Sequence, residues 1–357
     1  MQGVLILFAL LFFVIMMHSL ADLLRNIVLS THIGEKMPKM EANLDHKHVG
    51  IVGAGSIGLA WAVVFSTAGF AVKLYDPDRN RLKKSKQEFS NRIIELKKYG
   101  LINRDLDSVL NLLSLEDDLE RTVEGVVHVQ ECIPEIKEEK KKLFSQVSEL
   151  IPEFVTIGSS TSFLPISSFA SFVKNPERCL VIHPGNPPYL LRIAEIIPAP
   201  FTSQVAIEAS VKLMESIDII PVVLKKEIKG FVFNRLQGAL LNEAYSLIKD
   251  GIISSEEIDL IIKDGLGLRW SIVGPFETVD LNTRGGIRKH AERMGPMYQQ
   301  IGAERGTSTA WDEETIASVE NERRAMLPLS MWEDRVLWRD RAIMLILSAR
   351  KKIRKDR

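Results

Sequence analysis

The stretch of sequence that decides the fold is residues 48–76, HVGIVGAGSIGLAWAVVFSTAGFAVKLYD. Its first five residues form a short apolar run typical of a β-strand, and three glycines spaced as Gly-x-Gly-x-x-Gly follow directly. The pattern then predicts a helix over Leu59–Ala68 and a second strand over Ala71–Tyr75. Strand, glycine turn, helix and strand in this order indicate a dinucleotide-binding βαβ unit.

Each glycine of the turn has its own predicted task. Gly53 permits the tight turn, Gly55 lets the backbone approach a pyrophosphate, and Gly58 allows the helix to pack closely on the strand. The first helical turn includes Ser56 and Ile57, whose amides supply donors and a partial positive charge for the phosphates.

The second strand ends in Asp76, which is placed to accept hydrogen bonds from the hydroxyls of an adenosine ribose. Its negative charge repels a 2′-phosphate, so the sequence favours NAD over NADP as the cofactor. Arg79 and Arg81 could soften this preference, but their place in a predicted turn favours solvent-exposed side chains.

A second polar group is predicted at the ends of later strands. The apolar run Cys179–Ile182 predicts a buried strand that carries His183 to the edge where open parallel sheets bind ligands. Prolines within residues 184–188 then prevent the chain from continuing as a hydrogen-bonded strand or as a helix. The next apolar run, Leu190–Ile197, contains Glu195, a carboxylate that is costly to bury without a partner such as His183. Alone, a histidine at a strand end is more often a core residue, and the dinucleotide unit upstream is what favours a catalytic one.

Other polar residues follow neighbouring strands. Glu131 and Glu135 come after the predicted strand Val126–Val129, and a run of serine and threonine at residues 159–162 comes after Val155–Ile157. The ends of adjacent parallel strands lie close together, so these groups could share a crevice with the cofactor. A serine run by itself is also typical of a simple turn.

The order of the predicted strands and helices indicates an α/β protein: a Rossmann-type doubly wound sheet followed by an all-helical C-terminal domain. The 357 residues divide into an apolar leader and polar linker (1–47), an NAD-binding domain (48–227) and a helical substrate and dimerisation domain (228–357). The 46 basic and 46 acidic side chains give no net charge and no electrostatic case for nucleic acid. Cys132 and Cys179 resemble buried small hydrophobes, and no metal-ligand spacing is present.

The N-terminus allows three interpretations. Val4–Met17 is an unbroken apolar run, and Ser19–Ala21 resembles a signal-peptidase site. A cleaved signal would carry the enzyme away from its cofactor, whereas an anchor through residues 4–21 would leave it on the cytoplasmic side. A dispensable extension, with Met37 or Met40 as the first residue, is the third interpretation. The predicted location is cytoplasmic in the last two cases.

Several of these motifs together resemble the 3-hydroxyacyl-CoA dehydrogenase superfamily. They are Gly53–Gly58, Ser160-Thr161-Ser162, His183 with Asn186-Pro187, Glu195 and Gly230–Arg235, in the superfamily's order. Finer phrases resemble its lambda-crystallin branch, whose enzyme is L-gulonate 3-dehydrogenase: Val72–Asp76, Gln130–Cys132, Asn186–Tyr189, Gly265–Arg269 and Gly274–Thr278. The resemblance covers roughly residues 48–350.

The resemblance implies a site and a reaction. His183 would be the catalytic base and Glu195 its support, while Ser162 and Asn234 would lie around the substrate oxygen and the imidazole. Glu135 and Lys140 would lie near the nicotinamide end of the cofactor. The enzyme implied is an NAD-dependent dehydrogenase of a small 3-hydroxy acid, with L-gulonate the leading substrate and a homodimer the expected assembly.

Two alternatives stay open at this stage. One is a 3-hydroxyacyl-CoA dehydrogenase that uses the same groups on a thioester, and the other is a non-catalytic, crystallin-like NAD-binding protein. Gly185 and Arg192 depart from the usual residues of relatives at positions close to the expected substrate. Arg192 could contact a substrate carboxylate, although a solvent-facing position is the simpler interpretation. Arg269 is a second candidate cation, or an ordinary arginine at a surface helix end.

Overall fold

The computed structural model describes residues 48–271, 274–282 and 286–306, together with isolated positions between 314 and 352. The leader and linker of residues 1–47 lie outside the described residues, and so do the expectations attached to them. Among the described residues, no helix combines the length and apolar character needed to cross a membrane.

Eight strands form one sheet in the order β3-β2-β1-β4-β5-β6-β7-β8. Their bounds are β1 His48–Val52, β2 Ala71–Tyr75, β3 Leu113–Glu116, β4 Val126–Glu131, β5 Thr156–Ser159, β6 Cys179–Pro184, β7 Ile193–Pro198 and β8 Ile220–Val223. The first six strands pair in parallel, and the order reverses beside β1. Such a reversal opens a crevice at the carboxyl ends of the strands, where doubly wound folds bind ligands.

Helices connect these strands and continue after them. They are α1 Ser56–Ala68, α2 Arg79–Lys98, α3 Leu106–Leu110, α4 Leu119–Val123, α5 Lys137–Leu150, α6 Ser167–Ala170, α7 Gln204–Ser216, α8 Phe231–Lys249, α9 Ser255–Leu260, α10 Gly267–Trp270, α11 Pro275–Leu281 and α12 Gly286–Arg305. A π-helical turn, Ile261–Leu266, joins α9 to α10, and 3-10 turns occupy Pro176–Arg178 and Leu329–Met331. A capping box begins α9, where the side chains of Ser254 and Glu257 each accept a hydrogen bond from the other's backbone amide. The chain therefore has the predicted α/β class with helices after the sheet.

The last two strands depart from a purely parallel sheet. β7 pairs antiparallel with β6, and β8 pairs in parallel with β7. The connection between β6 and β7 is too short for a helical crossover, which parallel pairing would require. This reversal has a functional consequence, because it sets His183 directly opposite Glu195 in the ladder.

The sheet has one apolar core on each face. On one face α1 contributes Trp61 and Phe65, which are fully buried among residues of β1 and β2. On the other, Phe144 of α5 packs edge-to-face on Phe169 with ring centroids 5.2 Å apart. These two cores hold the strands rigidly, so the polar residues at the strand ends are fixed relative to one another.

Candidate active site

The glycine turn has the geometry that its sequence predicts. Gly53 adopts a left-handed φ of 109°, and a Cβ there would lie 2.6 Å from the Cys132 carbonyl oxygen. A Cβ on Gly58 would lie 1.8 Å from the Gly53 carbonyl oxygen, so α1 packs closely on the turn. A Cβ on Gly55, the N-cap of α1, would meet no atom within 4 Å.

The start of α1 is suited to a phosphate. Its N-cap is Gly55, which has no side chain with which to bond the first amides. A helix leaves these first amides without partners in the helix itself, and they carry the positive end of its dipole. The exposed Ser56 and half-buried Ile57 lie in this turn. The residues present therefore fit the pyrophosphate of a dinucleotide.

Asp76 lies directly after β2 and is buried beside the glycine turn. Its Oδ2 accepts a hydrogen bond from the Ala54 amide at 3.0 Å, and its Oδ1 accepts one from the Asp78 amide at 2.9 Å. Arg79 and Arg81 are exposed, as expected, with side chains 79% and 51% accessible, and each also pairs with an acid. Arg81 donates from Nη1 to Asp76 Oδ2 at 3.2 Å, and Arg79 pairs with Asp117 at 2.5 Å, because α2 begins at Arg79 and turns both side chains back to acids.

His183 and Glu195 form a buried pair across β6 and β7. The His183 Nδ1 atom lies 2.8 Å from Glu195 Oε2, and only 7% of His183 is exposed. Phe231 and Phe233 flank the imidazole, with ring centroids 5.3 and 6.3 Å away. The antiparallel register fixes one ring nitrogen on the carboxylate, which leaves Nε2 for a substrate.

Glu195 also receives the N-terminus of α8. Its Oε1 accepts hydrogen bonds from the Val232 amide at 2.8 Å and the Phe233 amide at 3.0 Å. Burial alone would raise the pKa of Glu195, but the bonds from His183 and the two amides outweigh it and hold the pKa below its ordinary value. The carboxylate is therefore ionised at neutral pH, and it is placed to accept a hydrogen bond from Nδ1 of the imidazole.

Gly230 and Phe231 bring α8 to this position. Both adopt positive φ angles, 73° and 50°, immediately before and at the first residue of the helix. This tight entry leaves the α8 N-terminus capped by Glu195 from another element. The sequence shows the glycine, but the role of the amides depends on a contact between residues 37 and 38 positions apart.

Lys140 lies in a second cluster of charge, between Glu131 and Glu135. Its Nζ is 2.6 Å from Glu131 Oε1 and 3.4 Å from Glu135 Oε2. The Lys140 and Glu131 side chains are each 1% exposed, and Ser159 donates to Glu131 Oε2 at 2.5 Å. Burial raises the pKa of Glu131, and the ammonium and hydroxyl oppose that shift. Glu131 thus supports Lys140 from within the core, contrary to the expectation that it shares the cofactor crevice.

Glu135 organises the loop after β5. Its Oε1 accepts hydrogen bonds from Thr161 Oγ1 at 2.5 Å, the Ser162 amide at 3.0 Å and the Phe163 amide at 3.1 Å. Burial acts to raise the pKa of Glu135, but the Thr161 bond and the Lys140 charge outweigh it, so the pKa is lowered. The serine run is therefore more than a simple turn, because a half-buried carboxylate fixes it.

Ser162 and Asn234 connect this loop to α8. The Asn234 Nδ2 atom donates to the Ser162 backbone carbonyl at 2.9 Å. Because α8 also supplies the amides for Glu195, this bond links the loop to the His183 pair. One N–H of the Asn234 amide is thus used by the loop, and a position of Asn234 around the imidazole and substrate oxygen stays a prediction of the resemblance.

A buried polar chain that the sequence analysis did not single out lies between β4 and β5. The His128 ring nitrogens are 2.8 Å from Thr156 Oγ1 and 2.9 Å from Gln130 Oε1. Gln130 Nε2 and Trp61 Nε1 both donate to Ser160 Oγ. Burial lowers the pKa of His128 to about 4, so this histidine is neutral at physiological pH. In the sequence, this chain is indicated by polar residues at alternate positions of β4, His128 and Gln130.

The cysteines and the two departures from the family pattern have structural explanations. Burial raises the pKa of both Cys132 and Cys179 to about 12, and both are free thiols. A Cβ on Gly185 would lie 3.0 Å from side-chain atoms of Leu191 and Ile193. Arg192 is half-buried and donates from Nη1 to the Ile217 carbonyl at 3.2 Å, so it is not simply solvent-facing, and its contact with a substrate carboxylate stays a prediction. Within the described part of the chain, no group of acidic, histidine or cysteine residues could hold a metal ion.

Comparison with known families gives two adjacent matches. The 3-hydroxyacyl-CoA dehydrogenase NAD binding domain matches residues 48–228, and the 3-hydroxyacyl-CoA dehydrogenase C-terminal domain matches residues 230–325. Together they cover most of the chain, and their boundary lies at Lys229, between β8 and α8.

Individual relatives agree with the family match. A lambda-crystallin homolog of Homo sapiens is 34% identical, over 81% of this chain and 93% of its own. An L-carnitine dehydrogenase of Bacillus cereus is 35% identical, over 70% of this chain and 76% of its own. The crystal structure of 3-hydroxybutyryl-CoA dehydrogenase from Escherichia coli is 27% identical, with a TM-score of 0.59 over 67% of this chain and 50% of that one.

The family and the geometry agree on the class of chemistry. A dinucleotide turn lies in the same sheet as a histidine–carboxylate pair, and the family's members use NAD to oxidise or form secondary hydroxyl groups. This chain is a member of the 3-hydroxyacyl-CoA dehydrogenase family and an NAD-dependent oxidoreductase.

Proposed function

We propose that this protein oxidises the 3-hydroxyl of a small free hydroxy acid with NAD, and that L-gulonate is its leading substrate. The observation that carries the proposal is the buried His183–Glu195 pair, at 2.8 Å, with two helix amides behind it. Similarity to lambda-crystallin proteins supports the choice of a free acid, since the sequence phrases of that branch recur in this chain.

His183 is the general base in this proposal. Oxidation of a secondary alcohol requires removal of the hydroxyl proton as hydride leaves the carbinol carbon. His183 Nε2 accepts that proton, while the proton on Nδ1 stays hydrogen-bonded to Glu195. The imidazolium that forms is stabilised by an ionised carboxylate, which two amides hold in place. When bound, NAD supplies the hydride acceptor.

The remaining residues bind and orient. Gly53, Gly55, Ser56, Ile57 and Gly58 would hold the pyrophosphate, and Asp76 the ribose. We assign the Ser162 hydroxyl and the Asn234 side chain to the substrate oxygen, on the loop and helix that meet at the 2.9 Å bond between them. Glu135 and Lys140 would fix the nicotinamide end of the site through the same loop.

The runner-up is a 3-hydroxyacyl-CoA dehydrogenase with the same catalytic groups. Both matched domains carry that description, which is the observation in its favour. A CoA thioester needs an extended groove with positive charge for its phosphates, whereas a sugar acid needs one cation for its carboxylate. Arg269 is exposed on α10 and is the candidate cation for the free acid. A crystallin-like structural role is a weaker alternative, because such a role needs no paired base.

The assembly and location also belong to this proposal. Large apolar side chains recur every four residues along an exposed face of α8, at Val232, Leu236 and Leu240. Such a stripe favours burial against another protein surface, and we assign it to a homodimer. The helical substrate and dimerisation domain would then begin at residue 228. The proposed location is cytoplasmic, with membrane contact through residues 4–21 if the leader is an anchor.

The experiment is a substrate screen on the purified protein. NADH production is measured with L-gulonate, 3-hydroxybutyrate and L-carnitine, and NADH consumption with acetoacetyl-CoA. Oxidation of a free acid with poor acetoacetyl-CoA reduction supports the proposal. Efficient acetoacetyl-CoA reduction without activity on any free acid would transfer the assignment to the acyl-CoA class. Binding of NADH without turnover of either class would favour the structural role.

A further inference from the structure

Asp76 has more donors than its proposed task allows. An ionised carboxylate offers about four acceptor sites. The Ala54 amide, the Asp78 amide and the Arg81 guanidinium already donate to it, at 3.0, 2.9 and 3.2 Å. Two ribose hydroxyls that both donate to Asp76 would need two sites, so one of the present donors has to leave.

Access to the carboxylate leads to the same conclusion. The side chain of Asp76 is only 3% exposed, while that of Arg81 is 51% exposed. A ligand therefore reaches the carboxylate only after a neighbouring group moves. Arg81 lies against the carboxylate and extends into solvent, so it is the neighbour on the solvent side.

The two amide donors are fixed by the backbone. The Ala54 amide belongs to the glycine turn, and Asp78 is the N-cap of α2, whose side chain accepts bonds from two amides of the first turn. Among the residues that the structure describes, the Arg81 guanidinium is held only by its bond to Asp76 and a 4.0 Å contact with Asp78. A long, half-exposed side chain rearranges readily, whereas the two amides cannot move without unwinding local structure.

We propose that Arg81 is a movable cover on the ribose-binding carboxylate and the second residue, after Asp76, that determines cofactor specificity. It gives way to the ribose hydroxyls of NAD, and its guanidinium then stays within reach of the 2′ position. There it offsets part of the repulsion between Asp76 and a 2′-phosphate, so NADP is disfavoured less than Asp76 alone would require. The inference rests on the proposed role of Asp76.

The test measures binding on the full chain, without turnover. Dissociation constants of NADH and NADPH are determined by fluorescence titration for wild type, Arg81→Met and Arg79→Met. Arg79 is the matched control, because it lies in the same first turn of α2, is 79% exposed and pairs with Asp117. Asp76→Asn and the double variant Asp76→Asn/Arg81→Met complete a double-mutant cycle.

The expected result is a change in one ratio. Arg81→Met should raise Kd(NADPH)/Kd(NADH) about three- to ten-fold, since a half-exposed cation facing a phosphate is lost. Arg79→Met should leave that ratio within about two-fold of wild type, as expected for an exposed pair away from the site. Asp76→Asn should lower the ratio, because NADPH then binds more tightly relative to NADH. Much of that decrease should disappear in the variant that carries both Asp76→Asn and Arg81→Met.

An unchanged or lowered ratio in Arg81→Met overturns the role of Arg81, even while NADH still binds. If Asp76→Asn leaves both affinities unchanged, the ribose assignment falls and the role of Arg81 falls with it. Arg81→Lys keeps the charge without the planar fork, and it should give a ratio between those of wild type and Arg81→Met.

Discussion

Asp76 and Glu195 are two buried carboxylates with the same pattern of donors. Each accepts hydrogen bonds from two backbone amides and a third from a cationic or titratable side chain. They differ in that third partner. Arg81, on Asp76, is half exposed, whereas His183, on Glu195, is buried between aromatic rings.

The difference suggests how one arrangement can serve two tasks. In both sites the amides fix the carboxylate and offset the cost of burial. An exposed arginine can exchange for the hydroxyls of a ligand, so its carboxylate is suited to recognition. A buried histidine cannot leave, so its carboxylate acts through the imidazole. Changes at the His183 end should therefore alter rate, and changes at the Arg81 end should alter affinity.

The largest effect is expected from His183→Ala. Loss of a general base costs about 10²–10⁴-fold in rate, and we expect kcat to fall by about 10³-fold or more. NADH affinity should stay within about three-fold of wild type, because the glycine turn and Asp76 hold the dinucleotide. Stopped-flow turnover and NADH titration measure the two quantities separately. Near-normal turnover would remove the proposed mechanism, and a parallel loss of NADH binding would break the contrast between the two ends.

A smaller loss of rate is expected from Glu195→Gln. The glutamine carbonyl can still accept the Val232 and Phe233 amides, but its NH₂ group then faces Nδ1 of His183. The imidazole must turn its proton to Nε2, which is the wrong tautomer for a base. We expect kcat for oxidation to fall about 10²–10³-fold with NADH affinity unchanged. Glu195→Asp, which keeps the charge and withdraws it by one methylene, serves as the comparison and should retain more activity.

The sequence predicts most of the cofactor end and less of the catalytic end. The glycine turn and Asp76 are local features, since all of them lie within residues 53–76 and follow from strand, turn and helix signals. Pairing of Glu195 with His183 was predicted from the cost of burying a carboxylate. The α8 amides on Glu195 could not be predicted in this way, because they depend on where a helix of the following segment is packed.

Arg81 and Lys140 illustrate the same limit at single side chains. A position at a predicted turn indicates that the Arg81 side chain is exposed to solvent. Its contact with Asp76 depends on how the first turn of α2 is placed after β2. The family resemblance gives Lys140 a partner in Glu135, while its shortest contact is to Glu131 at the end of β4. Side-chain partners between elements depend on packing that no local pattern records.

Cofactor preference of the wild-type protein sharpens the Asp76 side of the comparison. One unfavourable charge contact exceeds about 1.4 kcal/mol, so NADH should bind at least about ten-fold more tightly than NADPH. The difference should shrink as salt is raised, because a 2′-phosphate would lie on the solvent side of Asp76, beside the half-exposed Arg81, where salt screens its charge. Equilibrium titration at two ionic strengths checks both points. Equal affinity for the two cofactors at low salt would contradict the ribose assignment of Asp76.

The smallest effect concerns Glu135, a third carboxylate that accepts hydrogen bonds from two backbone amides. Its folded-state pKa is lowered from the ordinary 4.5, because the Thr161 bond and the Lys140 charge outweigh burial. Its stabilising contribution is therefore fully present above that value and is lost as pH falls through the lower, folded-state pKa. Glu135→Gln should reduce the urea midpoint at pH 7 by a small amount, since the group is partly exposed. The gap between variant and wild type should narrow as pH falls below 4.5, and Glu138→Gln, on the first turn of α5, is the control. A gap that stays constant with pH would show that the loop depends on the shape of Glu135 and not on its charge.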